Sequence, residues 1–327
     1  MDRLRFGIIG VGGRGIWNAR AVNDRPDVEL VGVCDINPER LKLCEEEGLA
    51  GERFDDYRDL LDRELDAVCI NTYNNVHAEQ TIAAAQRGVH VYVEKPIALS
   101  VGDAEAMVEA CRGLATVVNL SMRLMSEYRY LRQLVQEERW GRLLAVGATH
   151  PKASGLLCQG QAHPATLNPA RWGPLLMHDG VHICEWLRWM GGEVTQVYAQ
   201  TRTTGDDPEN EELTSALTTH EGDVLGTLSY MTMPFMPMRQ YVIGDQFSAW
   251  PDRDEQGEFI AVANESGQER VPIKPLPLTG DEAYVDEFVR AIRESRRPYG
   301  TMEDGLAGQR LVHAIHDSAR AGVPVKL

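Results

Sequence analysis

The sequence predicts an α/β domain built on a doubly wound parallel sheet, followed by an α+β domain with a mostly antiparallel open sheet. Three observations predict this fold class. Short apolar runs alternate with helical patterns up to about residue 120, a glycine-rich turn follows the first run, and strand patterns dominate after residue 190. At 327 residues the chain also exceeds the usual size of one hydrophobic core. We therefore expect two domains, residues 1–120 and 121–327.

The first strand pattern, residues 4–9, runs directly into a glycine-rich turn with the spacing G-x-G-x-x-G. In a Rossmann domain the first glycine permits a tight turn, the second lets the backbone approach a pyrophosphate, and the third allows close helix–strand packing. The pyrophosphate is held by unpaired N–H groups and the positive end of the helix dipole. We therefore predict a dinucleotide site that includes Gly10, Gly12, Gly13, Arg14 and Gly15.

The second strand pattern, residues 28–34, ends in Asp35, about 20 residues beyond the last glycine, where an acidic group meets the adenosine ribose hydroxyls. The same aspartate could cap the helix that begins at Pro38. The two roles are compatible, and we favour the ribose role. A carboxylate here repels a 2′-phosphate, so we predict NAD as the cofactor, while Arg14 leaves NADP open.

The remaining elements follow in order along the chain. In the first domain, strand patterns alternate with helix patterns at 66–71 (strand), 76–87 (helix), 89–93 (strand), 104–112 (helix) and 115–120 (strand). The second domain is predicted to contain a helix at 125–139, a strand at 143–149, an irregular stretch at 151–174, a helix at 175–190, strands at 194–201, 213–220 and 224–231, and helices at 281–294 and 302–321. A hairpin turn is predicted at 221–223.

The composition excludes several classes of protein. Apolar residues make up 43% of the chain and charged residues 25%, with a net charge of −16. Because this charge repels phosphate backbones, we expect no nucleic-acid partner. The six cysteines show no C-x-x-C spacing, which fits a reducing compartment rather than a disulfide framework. With no signal-peptide pattern and no apolar run of membrane-spanning length, we expect a cytoplasmic protein without a membrane partner.

The carboxyl ends of two predicted parallel strands carry polar side chains, where open α/β sheets place their sites. One strand leads into residues 71–77 and the next into Glu94-Lys95-Pro96. Beside a positively charged nicotinamide ring, a lysine has a lowered pKa and can move protons near neutrality. The proline keeps Lys95 extended, which directs it towards the cleft. A solvated surface lysine is the alternative, and for an isolated lysine it is the commoner one.

A second group of candidates opens the helix predicted at 175–190. His178 and His182 are one turn apart and share a face, and Asp179 precedes His182 by three residues. A histidine near a hydroxyl-bearing carbon suits proton removal during hydride transfer. The alternatives are a pair of structural histidines or a metal site to which His150 and His163 add ligands. Because no acidic or cysteine partner has a recognisable spacing, we predict no metal.

Taken together, these residues resemble the glucose–fructose oxidoreductase, inositol dehydrogenase and rhizopine-catabolism (Gfo/Idh/MocA) family over nearly the whole chain. The motifs that carry the resemblance are Gly10 to Gly15, Asn74 to His77, Gly88 to Pro96, Ser121-Met122-Arg123, Gly180-Val181-His182 and Ser318 to Leu327. The resemblance implies an N-terminal Rossmann domain and a C-terminal domain with an open antiparallel sheet. It also implies oxidation or reduction of sugar and cyclitol hydroxyl groups with NAD(H) or NADP(H), and association through that sheet.

The resemblance further implies that Lys95 is the catalytic lysine and His182 the catalytic histidine. The family usually has an aspartate four residues before this histidine, but here that position holds His178, and Asp179 is displaced by one residue. On a helix, one residue turns a side chain by about 100°, which puts the substitution of Asp179 for the usual aspartate in doubt. Either His178 takes over the orienting or proton-accepting role, or the reaction differs from simple dehydrogenation. Glu185 also replaces a more usual aspartate.

We therefore predict an NAD(P)-dependent oxidoreductase that acts on a secondary hydroxyl or ketone of a sugar, cyclitol or related carbohydrate, as a homo-dimer or homo-tetramer. The predicted catalytic residues are Lys95, His182, His178 and Asp179. Further cofactor contacts are predicted at Thr72, Asn74, His77, Glu94, Lys95, Pro96 and Arg123. Substrate contacts are predicted at Lys95, Tyr73, His150, Lys152, Trp172, His178 and His182. Two alternatives remain open, namely a redox-assisted glycosidase or lyase that uses tightly bound NAD through a transient keto-sugar, and a non-catalytic dinucleotide sensor.

Overall fold

The computed structural model describes residues 2–137, 141–151, 168–203, 211–232 and 238–327. Within them the chain forms two compact units. Unit 1 comprises Met1–Leu120 and Leu278–Leu306, and unit 2 comprises Ser121–Pro277 and Ala307–Leu327. The predicted division into 1–120 and 121–327 therefore needs a correction, because residues 278–306 return to unit 1.

Unit 1 is built on a parallel sheet of six described strands in the order β3-β2-β1-β4-β5-β6. The strands are β1 (Leu4–Ile9), β2 (Val28–Cys34), β3 (Glu52–Phe54), β4 (Ala67–Ile70), β5 (His90–Val93) and β6 (Thr116–Val118). The helices between them are α1 (Gly15–Asn23), α2 (Pro38–Glu46), α3 (Tyr57–Leu61), α4 (His77–Ala85) and α5 (Val101–Ala110). This is the strand order of a dinucleotide-binding Rossmann domain, with its crevice where the order reverses between β1 and β4.

The parallel sheet of unit 1 is covered by helices, so its central strands are apolar on both faces. All four residues of β4 are fully buried, and Ile8 and Ile9 of β1 are at most 1% exposed. The returning segment adds α9 (Gly280–Glu294), whose Phe288 ring packs edge-on against Phe6 at 5.5 Å between centroids. Residues 278–306 join this core because burying such aromatic surface stabilises unit 1.

Unit 2 is built on a sheet of nine described strands in the order β14-β13-β12-β11-β7-β10-β9-β8-β15. The strands are β7 (Leu143–Pro151), β8 (Val194–Arg202), β9 (Leu213–His220), β10 (Leu225–Met231), β11 (Arg239–Gly244), β12 (Ser248–Asp254), β13 (Gly257–Asn264), β14 (Gly267–Pro272) and β15 (Val325–Lys326). Only the pair β7–β10 is parallel among these described strands. The described helices of unit 2 are α6 (Ser126–Gln136), α7 (Pro169–Trp172) and α8 (Val181–Gly191), and α10 (Met302–Ala321) runs from unit 1 into unit 2.

One face of the unit 2 sheet packs against helices, and the other is open. Helix α8 buries Ile183, Trp186, Leu187 and Met190, which are spaced three and four residues apart and so form one apolar stripe. Along β9 and β10 the side chains alternate between buried and exposed, as expected for an antiparallel sheet with one solvated face. The predicted fold class is therefore confirmed in both parts.

The predicted elements agree with the described structure to within a few residues, and α10 has the predicted bounds 302–321. The irregular stretch predicted at 151–174 lies mostly outside the described residues, and so do Lys152 and His163. The hairpin turn predicted at 221–223 is a short 3₁₀ turn that joins β9 to β10. None of the described helices combines the length and apolar character that crossing a membrane requires.

Candidate functional site

The glycines of the turn between β1 and α1 fall into two groups: two are closely packed against backbone, and two border open space. Gly10 has a φ of +82°, and a Cβ there would lie 2.8 Å from the carbonyl oxygen of Asn71. A Cβ at Gly15 would overlap with the carbonyl oxygen of Gly10, so this position also excludes side chains. By contrast, nothing lies within 4 Å of a Cβ built at Gly12 or Gly13. The turn thus leaves its middle backbone accessible to a ligand, as a pyrophosphate requires.

Asp35 lies beside this turn because β2 is the neighbour of β1. Its Oδ2 accepts a hydrogen bond from the Val11 N–H at 2.9 Å, and its Oδ1 accepts one from the Asn37 N–H at 2.9 Å. The cap of α2 is Asn37, whose side chain accepts from the Glu39 N–H at 3.0 Å. The alternative role of Asp35 as the helix cap is therefore wrong, and its half-buried carboxylate is oriented by backbone on two sides.

The ionic partners of Arg14 are Asp281 and Glu94, not Asp35. The Nε of Arg14 lies 3.3 Å from Oδ1 of Asp281 and 3.6 Å from Oε1 of Glu94. Desolvation opposes the charge of this guanidinium, but the two carboxylates outweigh it and raise the pKa of Arg14. Its guanidinium therefore lies at the Glu94 side of the turn, and NADP stays a possible cofactor beside NAD.

Glu94 is a buried carboxylate with several donors. Its Oε1 accepts from Asn119 Nδ2 at 2.6 Å and from the Tyr92 hydroxyl at 3.3 Å, and its Oε2 accepts from the Lys95 N–H at 3.3 Å. Burial raises the pKa of Tyr92 well above its ordinary value, so this hydroxyl stays a donor. The next residues are the half-buried Lys95 and the buried Pro96, joined by a cis peptide bond.

His77, predicted as a cofactor contact, instead supports the loop that carries Lys95. The side chain is completely buried, with Nδ1 2.9 Å from the Pro96 carbonyl oxygen and Nε2 3.2 Å from that of Thr72. Burial lowers the pKa of His77 to about 4, and the nearby charge of Lys95 acts in the same direction. The ring is therefore neutral at pH 7 and has one N–H, which donates to one of these two carbonyl oxygens. The buried ring lies between the loop after β4 and the loop after β5.

The neighbours of His77 at the end of β4 differ in accessibility. The Thr72 hydroxyl donates to Gln80 Oε1 at 2.7 Å, which ties this loop to α4. Asn74 is buried, whereas Tyr73 is half-buried and remains at the surface of the loop. Among the predicted contacts of this loop, Tyr73 is therefore the aromatic side chain with accessible surface.

In unit 2 the predicted histidine pair begins in a π-helical turn at Leu176–Gly180, directly before α8. A π turn contains about one residue more than an α turn, and such turns are frequent at functional sites. Asp179 is 6% exposed and accepts a hydrogen bond from the Tyr230 hydroxyl of β10 at 3.3 Å. His178 is half-buried, and its ring meets that of Trp172 edge-on at 4.9 Å. The side chain that points into the unit is thus that of Asp179, not that of His178.

His182, on the first turn of α8, is half-buried, and its Nδ1 lies 3.2 Å from Oγ of Ser121. The short 3₁₀ turn Ser121–Leu124 that carries this serine is fixed to α8 by a buried ion pair between Arg123 and Glu185. Arg188 contributes a second cation to Glu185, with Nε 2.9 Å from Oε2. This network keeps the Ser121 hydroxyl in reach of the imidazole.

Arg123 was predicted as a cofactor contact, and the structure requires a correction. Its side chain is about 10% exposed, its guanidinium is paired with Glu185, and its Cζ lies 5.6 Å from the centre of the Trp189 ring. A cation buried between a carboxylate and an aromatic ring in this way supports the packing of unit 2. Arg123 therefore acts on the fold around His182.

The last of the predicted contacts in unit 2 is His150, near the end of β7. Its ring stacks on that of Tyr230, with 6.3 Å between centroids and 13° between planes. Since Tyr230 donates to Asp179, the structure brings His150 close to the π turn. Among the described residues no group of three or more histidine, cysteine, aspartate or glutamate side chains is arranged to hold a metal ion.

Several residues that contact the predicted site residues were not predicted from the sequence. They are Ser121, Tyr92, Asn119, Tyr230 and Asp281. Ser121 stands in the Ser-Met-Arg motif, so that motif offered a signal for it. Asp281 and Tyr230 meet their partners only through long-range packing, and no local spacing could have indicated them.

The parallel sheet, the glycine turn with open backbone and the tethered Asp35 define a Rossmann-type, dinucleotide-binding class of protein. A model described as "Oxidoreductase family, NAD-binding Rossmann fold" matches residues 4–121, and the model of the GFO/IDH/MocA C-terminal domain matches residues 128–248. The chain therefore belongs to the Gfo/Idh/MocA family of oxidoreductases, and its resemblance to that family is confirmed.

Individual relatives cover almost the whole chain. A D-xylose 1-dehydrogenase (NADP(+)) of Haloferax volcanii is 25% identical over 99% of this chain and 100% of its own length. A D-apiose dehydrogenase of Paraburkholderia graminis is 25% identical over 100% of this chain and 90% of its own length. The crystal structure of an aldose-aldose oxidoreductase from Caulobacter crescentus, complexed with glycerol, superposes with a TM-score of 0.86 at 25% identity, over 99% of this chain and 100% of that one.

Proposed function

We propose that this protein transfers a hydride between NAD(H) and a secondary hydroxyl or ketone of a sugar, cyclitol or related carbohydrate. The observation that carries the proposal is the position of Glu94-Lys95-Pro96 at the carboxyl end of β5, tied to the glycine turn through the Glu94–Arg14 contact. A lysine ammonium thus lies at the same sheet edge as the predicted pyrophosphate site. The sugar-related names of the relatives support the substrate class.

The residues of unit 1 fit a nicotinamide dinucleotide. The accessible backbone at Gly12 and Gly13 would hold the pyrophosphate, and Asp35 would accept hydrogen bonds from the ribose hydroxyls. When bound, the nicotinamide supplies the hydride acceptor or donor. Asp35 with both oxygens tied to backbone favours NAD, since a 2′-phosphate would meet its charge.

We assign proton transfer at the substrate hydroxyl to Lys95 and His182. Lys95 is held by its neighbours, because Pro96 is anchored through its carbonyl to the buried ring of His77. That ring is neutral and adds no competing cation beside the lysine. Groups positioned in this way typically contribute 10²–10⁴-fold to a rate.

In unit 2 we assign the orienting role to Asp179 and a substrate contact to His178. Asp179 is the buried member of the pair, and the Tyr230 hydroxyl donates to its carboxylate, so its side chain is held in a defined position. His182 has Nδ1 facing Ser121, so we assign its Nε2 to proton exchange with the substrate. Tyr73, Trp172 and His150 present aromatic or polar surface that suits a carbohydrate, and they stay predictions as substrate contacts.

We also propose that the protein is a cytoplasmic homo-oligomer that associates through the open face of the unit 2 sheet. One row across that face consists of Tyr198, Leu217, Thr227, Gly147 and Tyr241, in the register of neighbouring strands. Leu217 is 59% exposed between two tyrosine side chains of this row, and exposed apolar surface on an open sheet is typical of an interface. Five cysteines are buried free thiols, which fits a reducing compartment.

The test is a panel of aldoses and cyclitols with NAD+, followed by the absorbance of the reduced nicotinamide. Lys95→Ala is expected to lower turnover by about 10²–10⁴-fold while changing NAD affinity little, because the lysine acts on the proton rather than on the dinucleotide. Lys42→Ala serves as the control, since Lys42 is an exposed surface residue paired with Glu46, and it is expected to leave turnover unchanged.

Unchanged turnover in Lys95→Ala would remove this lysine from the mechanism. Product formation without a net change in absorbance would instead favour the redox-assisted lyase, in which the cofactor is restored in each cycle. NAD binding without turnover of any carbohydrate would favour a dinucleotide sensor.

A further inference from the structure

Two carboxylates share one guanidinium beside the glycine turn. Arg14 is the residue that precedes α1, and Asp281 lies in the first turn of α9, in the segment that returns to unit 1. The Arg14 Nε lies 3.3 Å from Asp281 Oδ1 and 3.6 Å from Glu94 Oε1. The Arg14 side chain is 45% exposed, against 15% for Asp281 and 11% for Glu94. The cation is therefore accessible, while both anions behind it are largely buried.

The two carboxylates differ in how well their charge is stabilised. Glu94 accepts hydrogen bonds from Asn119, Tyr92 and the Lys95 N–H. Asp281 Oδ1 is buried and accepts no hydrogen bond from any residue in the described parts of the chain, so its contact with Arg14 is purely ionic. The Asp281 carboxylate does interact with the backbone N–H of its own residue, but Glu94 has three donors, so the charge on Asp281 is the less stabilised of the two.

The groups that face this cluster determine its response to added charge. Arg14 and Glu94 face Asp281, and Tyr92 and Tyr284 also face Arg14. Desolvation raises the pKa of Asp281, Arg14 lowers it, the charge of Glu94 raises it, and the backbone N–H of Asp281 lowers it; the net direction is upward. Because burial keeps Tyr92 protonated, the carboxylates and the guanidinium are the groups that carry charge here.

A dinucleotide would bring two further negative charges to this place. Its pyrophosphate binds at the glycine turn and the start of α1, where Arg14 stands. One guanidinium cannot neutralise two carboxylates and a pyrophosphate together, and like charges within a few ångströms favour protonation of the least stabilised one. In this cluster the least stabilised anion is Asp281.

We propose that Asp281 holds Arg14 against Glu94 in the free protein, and that dinucleotide binding draws Arg14 to the pyrophosphate while Asp281 takes up one proton. The proton comes from the solvent and forms an O–H bond on the Asp281 carboxyl group, so that no other group changes its protonation. Asp281 is thus a positioning residue for Arg14. The inference depends on NAD binding by this family member, and it specifies how binding is coupled to pH.

The test is calorimetric titration of the protein with NAD+ in two buffers of different ionisation enthalpy. The native protein is expected to show net proton uptake, and its affinity for NAD+ should fall as the pH rises, because the protonated Asp281 favours the bound state. Asp281→Asn should abolish the uptake, flatten the pH dependence and bind NAD+ more tightly at neutral pH, by roughly threefold to tenfold for the loss of one partly screened charge.

Asp286→Asn is the matched control. Asp286 lies on the same helix and pairs with Arg25 at 2.9 Å, so the variant makes the same change in net charge away from Arg14. It is expected to keep both the affinity and the proton uptake of the native protein. Asp281→Glu, which retains a carboxyl group, should keep proton uptake.

The absence of proton uptake in the native protein would overturn the inference without any variant. Weaker or unchanged NAD+ affinity in Asp281→Asn would also overturn it, because Asp281 would then help Arg14 to bind the dinucleotide. A native protein that binds no NAD+ at all would contradict the proposed function as well, which distinguishes the two failures.

Discussion

The two sheets of this protein differ in how many of their faces are buried and in where their predicted site residues lie. The parallel sheet of unit 1 is buried on both faces, and its predicted site residues follow directly from the ends of β1, β2, β4 and β5. The sheet of unit 2 buries one face and leaves the other open, with Leu217 and Leu225 each 59% exposed. Its predicted catalytic residues His178, Asp179 and His182 lie on the π turn and on α8.

The consequence is a difference in how the reactive side chains are positioned. In unit 1 the strand order alone brings the loops to one edge, and short backbone contacts such as Val11 N–H to Asp35 complete the arrangement. In unit 2 His182 and Asp179 depend on partners 61 and 51 residues away in the chain, Ser121 and Tyr230. Local sequence motifs therefore indicate the predicted dinucleotide site of unit 1, whereas long-range packing determines where the predicted catalytic side chains of unit 2 lie.

In unit 1 the largest loss of stability is expected from adding a side chain to the glycine-rich turn. Gly15→Ala is expected to lower the free energy of unfolding by about 4 kcal/mol or more, because its Cβ would overlap with the backbone of Gly10. Thermal or denaturant unfolding measures this effect. Gly12→Ala should fold normally, since nothing lies within 4 Å of its Cβ, yet lose NAD affinity because the methyl group occupies the ligand's approach. Equal stability of the two variants would contradict the division of roles.

The corresponding change in unit 2 is Glu185→Gln. It removes the carboxylate charge that the buried Arg123 and Arg188 share, so we expect a loss of about 3 kcal/mol in the free energy of unfolding. The variant that still folds should also lose turnover, because the turn that presents Ser121 to His182 is no longer fixed. Glu193→Gln is the control, since the side chain of Glu193 is 55% exposed and its pair with Arg188 is expected to matter little. A Glu185→Gln protein with native turnover would show that this network does not position His182.

The smallest effect on the folded chain is expected from Leu217→Lys on the open face. It should change the free energy of unfolding of the chain by less than about 0.5 kcal/mol, because the site is exposed. If the face is an interface between copies, the buried charge should shift the assembly to smaller species in sedimentation or light scattering. Val323→Lys, at an apolar residue that is 53% exposed, provides the control. An unchanged assembly in Leu217→Lys would place the interface elsewhere.

Part of the candidate site could be predicted because its residues signal their roles locally. Gly10 and Gly15 are required by the backbone itself, and Lys95 follows a strand and precedes a proline, so each is visible in a short stretch of sequence. His77 and Arg123 looked like ligand contacts by the same local reasoning. Their burial is a property of the packed unit, and it makes both of them supports of the loops that they belong to.

The positions of His178 and Asp179 show most clearly what sequence spacing alone does not predict. Spacing on an ideal α-helix puts the substitution of Asp179 for the usual aspartate in doubt, because one residue corresponds to a rotation of about 100°. The turn at Leu176–Gly180 is a π turn, so ideal α-helical spacing does not describe where these side chains lie. The Leu176 N–H donates to Glu211, 35 residues further along the chain.

By itself, the sequence determined the fold class, the glycine-rich turn and the family, because each depends on periodicity or on contacts between neighbours along the chain. Only the tertiary structure decided that residues 278–306 return to unit 1, that Asp281 shares Arg14 with Glu94, and which member of the His178–Asp179 pair faces inward. The physical reason is that these features depend on burial and on charges brought together from distant positions. Such contacts leave no regular spacing in the sequence.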